Sequence, residues 1–517
     1  MKEFMAREKW SGRTSFIFAA IGSAVGLGNA WRFPGLVAKH GGGAFLLVYV
    51  IAMILVGVPL LMTEVAIGRK TRQGAPGSMR VIHKKAEGIG WAATANAFVI
   101  ACYYAVVFAW VLAMVVGAFK IGTDITGASK VFSDSVIQTT WTTSGYSIPW
   151  WMFIALFVAW GLIYYCIRNG VSSVSKVVNF TVSAPIVLLL ILAVRGFLLP
   201  NAAEGLKVFF IPDFSALKDI SLWVDAFGQV FYSLSVMMAI MFAYGSFLKR
   251  DSNIAADCVI IAVSDMLISV LAGIVMFTTM YGTGLQDSIT SSGIATAFIV
   301  YPTAFASLTS VPIVNSIFAC IFYLMLCTLA IDSAFSIIEG VSTALADKFG
   351  TDKKKMTIRV CIVAGIISIL FITRAGLAWL DIVDNWCNYV NLLVIGILEC
   401  VAIGWFFDVR KVHKEVNLNS KGKGMPYWWL NCSIRFVAPL VLSFLFIFNF
   451  IKMMITYADG GSYGYAIWAE CVGGWLVSIL VLISGLLIKF FTKRSQKARA
   501  LEAETKTWDE INDNLEA

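Results

Sequence analysis

Long apolar segments leave this chain few folds to choose from. A hydrocarbon core about 30 Å thick takes about 20 apolar residues of helix to cross. Backbone inside lipid must satisfy its own hydrogen bonds, which restricts spanning structures to helices and closed barrels. The hydrophobicity here is continuous, not alternating, and that selects helices. Twelve spans are expected, near residues 14–38, 43–69, 91–118, 149–167, 174–198, 223–247, 254–283, 313–346, 357–373, 379–407, 430–457 and 464–492. Charged residues form only 14% of the chain and hydrophobic ones 59%, against about 25% charged in soluble domains. The first span is too long for a cleaved signal and lacks a small-residue cleavage site, so it is expected to remain a helix.

Basic residues set the expected orientation. With both termini on the cytoplasmic side, Arg69, Lys70, Arg72, Lys84 and Lys85 follow the second span, Lys353, Lys354 and Lys355 precede the ninth, and Lys493 and Arg494 follow the twelfth. The net charge of +9 is then a positive-inside bias. It is not a nucleic-acid footprint, because no basic patch is interleaved with aromatics, and no nucleic-acid partner is expected. The ten cysteines lie mostly within spans, which argues against a disulfide framework. Glycosylation-like triplets at Asn179 and Asn431 fall on the inner side. Outer loops without such triplets suit a bacterial inner membrane. The three histidines, His40, His83 and His413, are far apart. With no metal-ligand spacing and no nucleophile–base motif, an enzyme is not expected. Loops at 119–148, 199–222 and 284–312 are expected outside, the last as a helical lid, and the tail after 500 as a short cytosolic helix.

Two spans look interrupted. Residues 22–35 read GSAVGLGNAWRFPG, and residues 228–246 place Ser233 and Ser235 inside an otherwise apolar helix. Glycines in membrane helices also permit close packing, but Asn29, Arg32 and Pro34 add polarity and remove a helical hydrogen bond. Interrupted helices at matching places in two halves point to a transporter built from inverted repeats. Polar residues within spans include Ser23, Tyr49, Glu64, Tyr103, Tyr104, Gln229, Asp265, Ser269, Asp332, Ser333, Asp384, Asn388 and Asn391. These are mainly oxygen donors, which suit a hard alkali cation. Freed amides at Leu27 and Gly28, opening a half-helix, would suit a carboxylate. A proton-coupled carrier remains open at this point.

Ordered motifs along nearly the whole chain resemble the neurotransmitter:sodium symporter family. They are REKW at 7–10, GSAVGLGNAWRFP at 22–34, GGGAF at 41–45, GVPLLMTEVAIGR at 57–69, ACYYA at 101–105, PDF at 212–214, GQVFYSLS at 228–235 and LAIDSAFS at 329–336. The resemblance implies an all-α polytopic membrane protein with the leucine-transporter fold. Twelve transmembrane helices would form a 5+5 inverted repeat (14–198 and 223–407) with helices 1 and 6 broken, followed by two extra helices (430–492) and a cytosolic tail (500–517). It implies sodium-driven uptake of an amino acid by alternating access.

Two sodium sites are implied. The first would use Ala24, Asn29, Ser233, Asp265 and the substrate carboxylate. The second would use Gly22, Val25 and Leu329 carbonyls with Asp332 and Ser333. The substrate would meet Leu27 and Gly28 amides, Tyr104, the carbonyls of Ala24, Tyr232 and Ser233, and Ser235. Ile100, Tyr104, Tyr232, Met237, Met238 and Ile337 would line its side chain. Gly26 stands where amine carriers of the family have Asp, so the resemblance favours a substrate with its own carboxylate. The apolar lining favours a neutral, hydrophobic or aromatic side chain. Arg32 and Asp384 would form the outer gate, and Arg7, Asp347 and Trp10 the inner one. The remaining expected partner is the bilayer, with a homodimer as one assembly. An amine carrier, or a sensor or channel for amino acids, is the alternative.

The chain departs from the family pattern at several positions. Asp265 replaces a usual Asn, and Ser269 stands where bacterial relatives often carry an acid. A charge site built on Tyr49, Gln229, Asp265 and Ser269 would then do without chloride. Met237 replaces a small residue and is expected to reshape the pocket. Phe247 replaces a Tyr near the inner gate, and Ser175 a Gly ten residues before Pro185.

Overall fold

The computed structural model describes residues 8–290, 292–420, 424–458, 465–492 and 507–511. Within them are nine helices long and apolar enough to cross a membrane, or eleven if two bent pairs each count as one. In chain order the elements are α1 (Arg13–Ala24) and α2 (Leu27–Lys39), α3 (Gly43–Thr71), α4 (Lys84–Lys120), α5 (Trp150–Ile167) and α6 (Val171–Phe197). Two short helices follow, α7 (Ile220–Ser233) and α8 (Ile240–Ser246). Then come α9 (Ile254–Thr283), α10 (Pro312–Phe349), α11 (Lys353–Ile372), α12 (Gly376–Trp405), α13 (Tyr427–Thr456), α14 (Ile467–Leu482) and α15 (Ser484–Thr492). Among the described residues the only β pairing is one bridge between Gly42 and Pro212.

Both expected interruptions are present. Between α1 and α2 the axis turns by 52°. Val25 ends α1 in extended backbone (ψ 92°), and Gly26 opens α2, also extended. The Asn29 side chain, in the first turn of the new helix, accepts the Gly26 amide at 3.0 Å, the back-bond of a capping box. Pro34 sits inside α2 without ending it. The gap between α7 and α8 is held differently. Ser235, Met237 and Ala239 all adopt left-handed backbone, with φ of 52°, 63° and 62°. Non-glycine residues in that region each cost about 1–3 kcal/mol and persist only where the surroundings impose them. Here the Met237 amide donates to Glu64 of α3 at 2.6 Å, and the Ser235 hydroxyl donates to the Ser23 carbonyl at 2.8 Å. The two breaks therefore touch.

A third break, between α14 and α15, bends the chain by 51° and was not expected from the sequence. Gly485 lies against the Gly88 backbone, where a Cβ would sit 2.7 Å from Gly88 Cα. The single helix expected over 464–492 is therefore bent at Ile483. Three of the long helices, α3, α12 and α13, and the shorter α14 also contain a π-helical turn, at Met53–Gly57, Cys387–Asn391, Ser433–Val437 and Cys471–Leu476.

The broken helices are enclosed. α10 packs along α4 and α6, α9 lies against α2, and α8 lies against α3. Gly68 and Gly245 let α3 and α8 meet backbone to backbone, since a Cβ at either would run into a carbonyl of the other helix. Apolar side chains such as Phe157, Leu440 and Leu486 point outward from α5, α13 and α15, as lipid-facing surfaces do. Outside the spans, Gly293–Ala306 forms the short apolar helix expected for the 284–312 loop. Of the tail, Trp508–Glu510 forms a single 3₁₀ turn. The rest of the expected tail helix lies outside the described residues, as do Lys493 and Arg494.

Candidate functional site

The site forms where the two breaks meet α4, α9 and α10. Its first cluster surrounds Asp265 on α9, which is completely buried. The Asn29 Nδ2 donates to Asp265 Oδ1 at 2.8 Å, to Ser233 Oγ at 2.8 Å and to Ser269 Oγ at 2.7 Å. Ser233 Oγ lies 2.7 and 2.6 Å from the two carboxylate oxygens, and the Tyr49 hydroxyl donates to Oδ2 at 3.2 Å. Ser269 Oγ donates to the Asp265 backbone carbonyl at 2.9 Å. Four elements thus converge on one buried negative charge. Charges in membrane interiors are costly and usually functional.

Two details differ from the expected arrangement. Asn29 presents its amide nitrogen to the cluster, while its oxygen is engaged with Gly26. Gln229 is buried, yet neither atom of its amide makes a hydrogen bond, so it does not join the Asp265 network.

The second cluster surrounds Asp332 on α10, 1% exposed. Its Oδ2 would lie 2.5 Å from a Cβ at Gly22, so a glycine at 22 is what lets α1 approach. Its Oδ1 has no hydrogen-bond partner. No Lys, Arg or His forms an ion pair with it among the described residues. Beside it the Ser333 hydroxyl donates to the Ser23 carbonyl at 3.4 Å, and Ser336 donates to the Asp332 carbonyl at 2.6 Å. An unpaired buried carboxylate is expensive unless a cation or proton accompanies it.

Between the clusters lies Gly26. A Cβ there would be 2.9 Å from Ser333 Oγ and 3.5 Å from the Tyr104 hydroxyl. That hydroxyl is buried with no hydrogen-bond partner, and so is free to meet a polar guest. Ile100, Met238 and Ile337 are buried, as expected of lining residues. Met237 is also buried, but its sulfur packs on Gly396 of α12, so close that a Cβ there would overlap it. Its bulk is taken up behind α8 by that glycine.

At the outer end, the Arg32 Nη2 donates to the Tyr389 hydroxyl at 3.0 Å, and its guanidinium lies 4.7 Å from the Tyr232 ring centroid. Asp384 accepts instead from Tyr103 and Asn388, each at 2.7 Å. The expected gate pair is therefore not an ion pair in this structure: Arg32 and Asp384 each bond other neighbours. Nearby, Asp219 caps α7; bonds from the Ser221 hydroxyl and amide hold its carboxyl below the usual range, with smaller help from His40 and Lys39. At the inner end, the Trp10 indole donates to the Tyr244 carbonyl at 3.0 Å, and its amide to the Phe247 carbonyl at 3.1 Å. Asp347 accepts from the Gly74 amide at 2.8 Å. Arg7 lies outside the described residues.

Sequence reasoning missed Glu399 of α12. It is buried beside Glu64, the residue that holds the Met237 amide. The signal was available: it is a lone acid in the apolar run at 392–405.

Paired broken helices around buried oxygen-rich clusters, inside a sheath of membrane-length helices, describe a multi-pass membrane transporter. A sequence profile of the sodium:neurotransmitter symporter family matches residues 7–123 and 123–494. An uncharacterized sodium-dependent transporter of Methanocaldococcus jannaschii is 32% identical, covering 95% of this chain and 99% of its own. The mouse sodium-dependent neutral amino acid transporter B(0)AT1 is 29% identical over 87% of this chain and 83% of its own. The rat sodium- and chloride-dependent GABA transporter 2 is 29% identical over 93% and 85%. The chain belongs to the sodium:neurotransmitter symporter family.

Proposed function

We propose that this protein is a symporter that couples inward sodium flux to uptake of a neutral amino acid, with a hydrophobic or aromatic side chain. The observation that carries this reading is Asp332, a buried carboxylate with an unpartnered oxygen and, among the described residues, no cationic side chain to balance it. Sodium supplies that balance, held by Asp332, Ser333 and the carbonyls of Gly22, Val25 and Leu329. The other sodium, at the first of the two expected sites, would lie between Ala24, Asn29, Ser233 and Asp265. For its oxygen to serve, the Asn29 amide must turn over from the orientation it has here. The substrate carboxylate completes this first set of ligands, which couples the two fluxes.

The space at Gly26, with the free Tyr104 hydroxyl beside it, supports a substrate carrying its own carboxylate. The relatives named for a neutral amino acid and for GABA both handle amino compounds with a carboxylate. The substrate ammonium falls to the Ala24, Tyr232 and Ser233 carbonyls and Ser235. The Asp265 charge, with Tyr49 and Ser269, takes the part of a chloride ion. Alternating access then opens the site outward past Arg32, Tyr232 and Asp384, and inward past Trp10. We read α7 and α8 as one further broken span, which with the bent pairs makes twelve. The inverted repeats run over 14–198 and 223–407, and the termini lie in the cytoplasm.

A thermal-shift screen of the twenty amino acids in sodium and in choline tests the substrate class. Ligand at a hundred times its dissociation constant adds about 2.7 kcal/mol of stability. The expected result is that one or more neutral apolar amino acids raise the unfolding temperature in sodium and fail to do so in choline. Equal shifts in both salts would contradict the coupling.

A further inference from the structure

His40 ends α2 and is buried, its side chain 2% exposed. Its Nε2 lies 2.7 Å from Asp225 Oδ2, and its Nδ1 lies 3.9 Å from Asp219 Oδ2. Both acids belong to the facing half-helix: Asp219 caps α7, and Asp225 lies in its second turn. The imidazole stacks on Phe45 of α3, with Tyr49 stacked beyond it.

Other charged groups surround the ring. Lys39 Nζ meets the same Asp225 oxygen at 2.8 Å. Arg32 lines one cleft with Asp225, Tyr232 and Tyr389, and Asp225 attracts it. Asp213 lies in the loop before α7, where its amide bonds the Gly41 carbonyl. Glu204, Lys207 and Lys218 of that loop are exposed. The C-terminus of α2 carries partial negative charge, and two carboxylates of α7 face it, so a cation between them is favoured. Histidine is the side chain whose charge ordinarily changes between pH 5 and 8. A neutral ring has one N–H, which serves Asp225. A protonated ring donates from both nitrogens and adds attraction to Asp219.

Resting on the transport reading above, we propose that His40 is a positioning residue of the outer gate, whose protonation ties α2 to α7. The first helix carries Arg32 and the second Tyr232, whose ring lies under the guanidinium. A protonated His40 draws the outer ends of the two helices together and holds Arg32 over Tyr232. A neutral His40 leaves Asp225 to Lys39 and Arg32 and lets Asp219 part from α2. External acid therefore favours the closed outer side, and alkaline medium releases it.

Two substitutions fix the charge: His40→Asn as the neutral state and His40→Lys as the protonated one. In proteoliposomes, the half-saturating concentration of a neutral apolar amino acid should rise about threefold for the wild type from outer pH 8 to pH 6. It should be flat in both variants, at the pH 8 value in His40→Asn and at the pH 6 value in His40→Lys. Hydrogen–deuterium exchange of the full-length protein at pH 7, read on 37–42 and 220–224, should be about threefold faster in His40→Asn than in His40→Lys. Asp219 is half exposed, 56% at its side chain, and Asp219→Asn keeps a capping residue while removing the charge, so it should also flatten the pH profile even where a His40 variant folds poorly. A wild-type pH profile in His40→Asn or in Asp219→Asn, or equal exchange in the two His40 variants, would overturn the proposal. Exchange needs no transport substrate, so that result stands apart from whether the wild type takes up amino acids with sodium.

Discussion

Replacing Asp332 by Asn is expected to raise the sodium concentration for half-maximal uptake about a hundredfold, on the order of 3 kcal/mol lost from a buried charge pairing. Asn keeps the size of the side chain and the fit against Gly22, where Oδ2 and the glycine are in close contact. It removes only the charge. Because Asp332 meets no Lys or Arg among the described residues, no side-chain counter-ion is stranded, and the folded protein should be at least as stable without sodium. Sodium-induced stabilisation should fall in parallel with uptake. A structural role for Asp332 predicts the opposite pattern: a less stable protein whose remaining uptake has an ordinary sodium dependence. Measuring both on the same preparation separates the two.

The second large effect concerns Asp265. Wild-type uptake should be the same when chloride is replaced by gluconate, because the carboxylate bonded by Asn29, Ser233 and Tyr49 supplies the negative charge itself. Asp265→Asn should lower uptake in gluconate about thirtyfold, on the order of 2 kcal/mol for charge-assisted hydrogen bonds. Chloride should then restore part of it. A wild type that loses uptake in gluconate, or a variant that transports at the wild-type rate there, would contradict this assignment.

Much of the site could be read from residue types. Gly22 and Gly26 alone could serve close packing, but with Asn29, Arg32 and Pro34 in the same apolar span they announce a break. The structure puts the break between Ala24 and Leu27. Asp265 and Asp332 were conspicuous for the same reason, as charges where hydrocarbon is expected. What stayed hidden depends on directions that hydropathy does not carry. The Met237 side chain leaves the site because Gly396, on a distant helix, makes room for it. The orientation of the Asn29 amide depends on which partners its two ends find. The bend at Ile483 goes with a close contact between Gly485 and Gly88, and the position of Lys353 with a carboxylate, Glu8, more than three hundred residues earlier. Glu399 was legible and was passed over, because its apolar neighbours made the span look complete without it.

Uptake into proteoliposomes under an imposed inward sodium gradient tests the central claim most directly. With a labelled neutral apolar amino acid, sodium should drive accumulation above the equilibrium level, and choline of equal concentration should not. Equal accumulation in choline, or equilibration without accumulation in sodium, would contradict sodium-coupled symport.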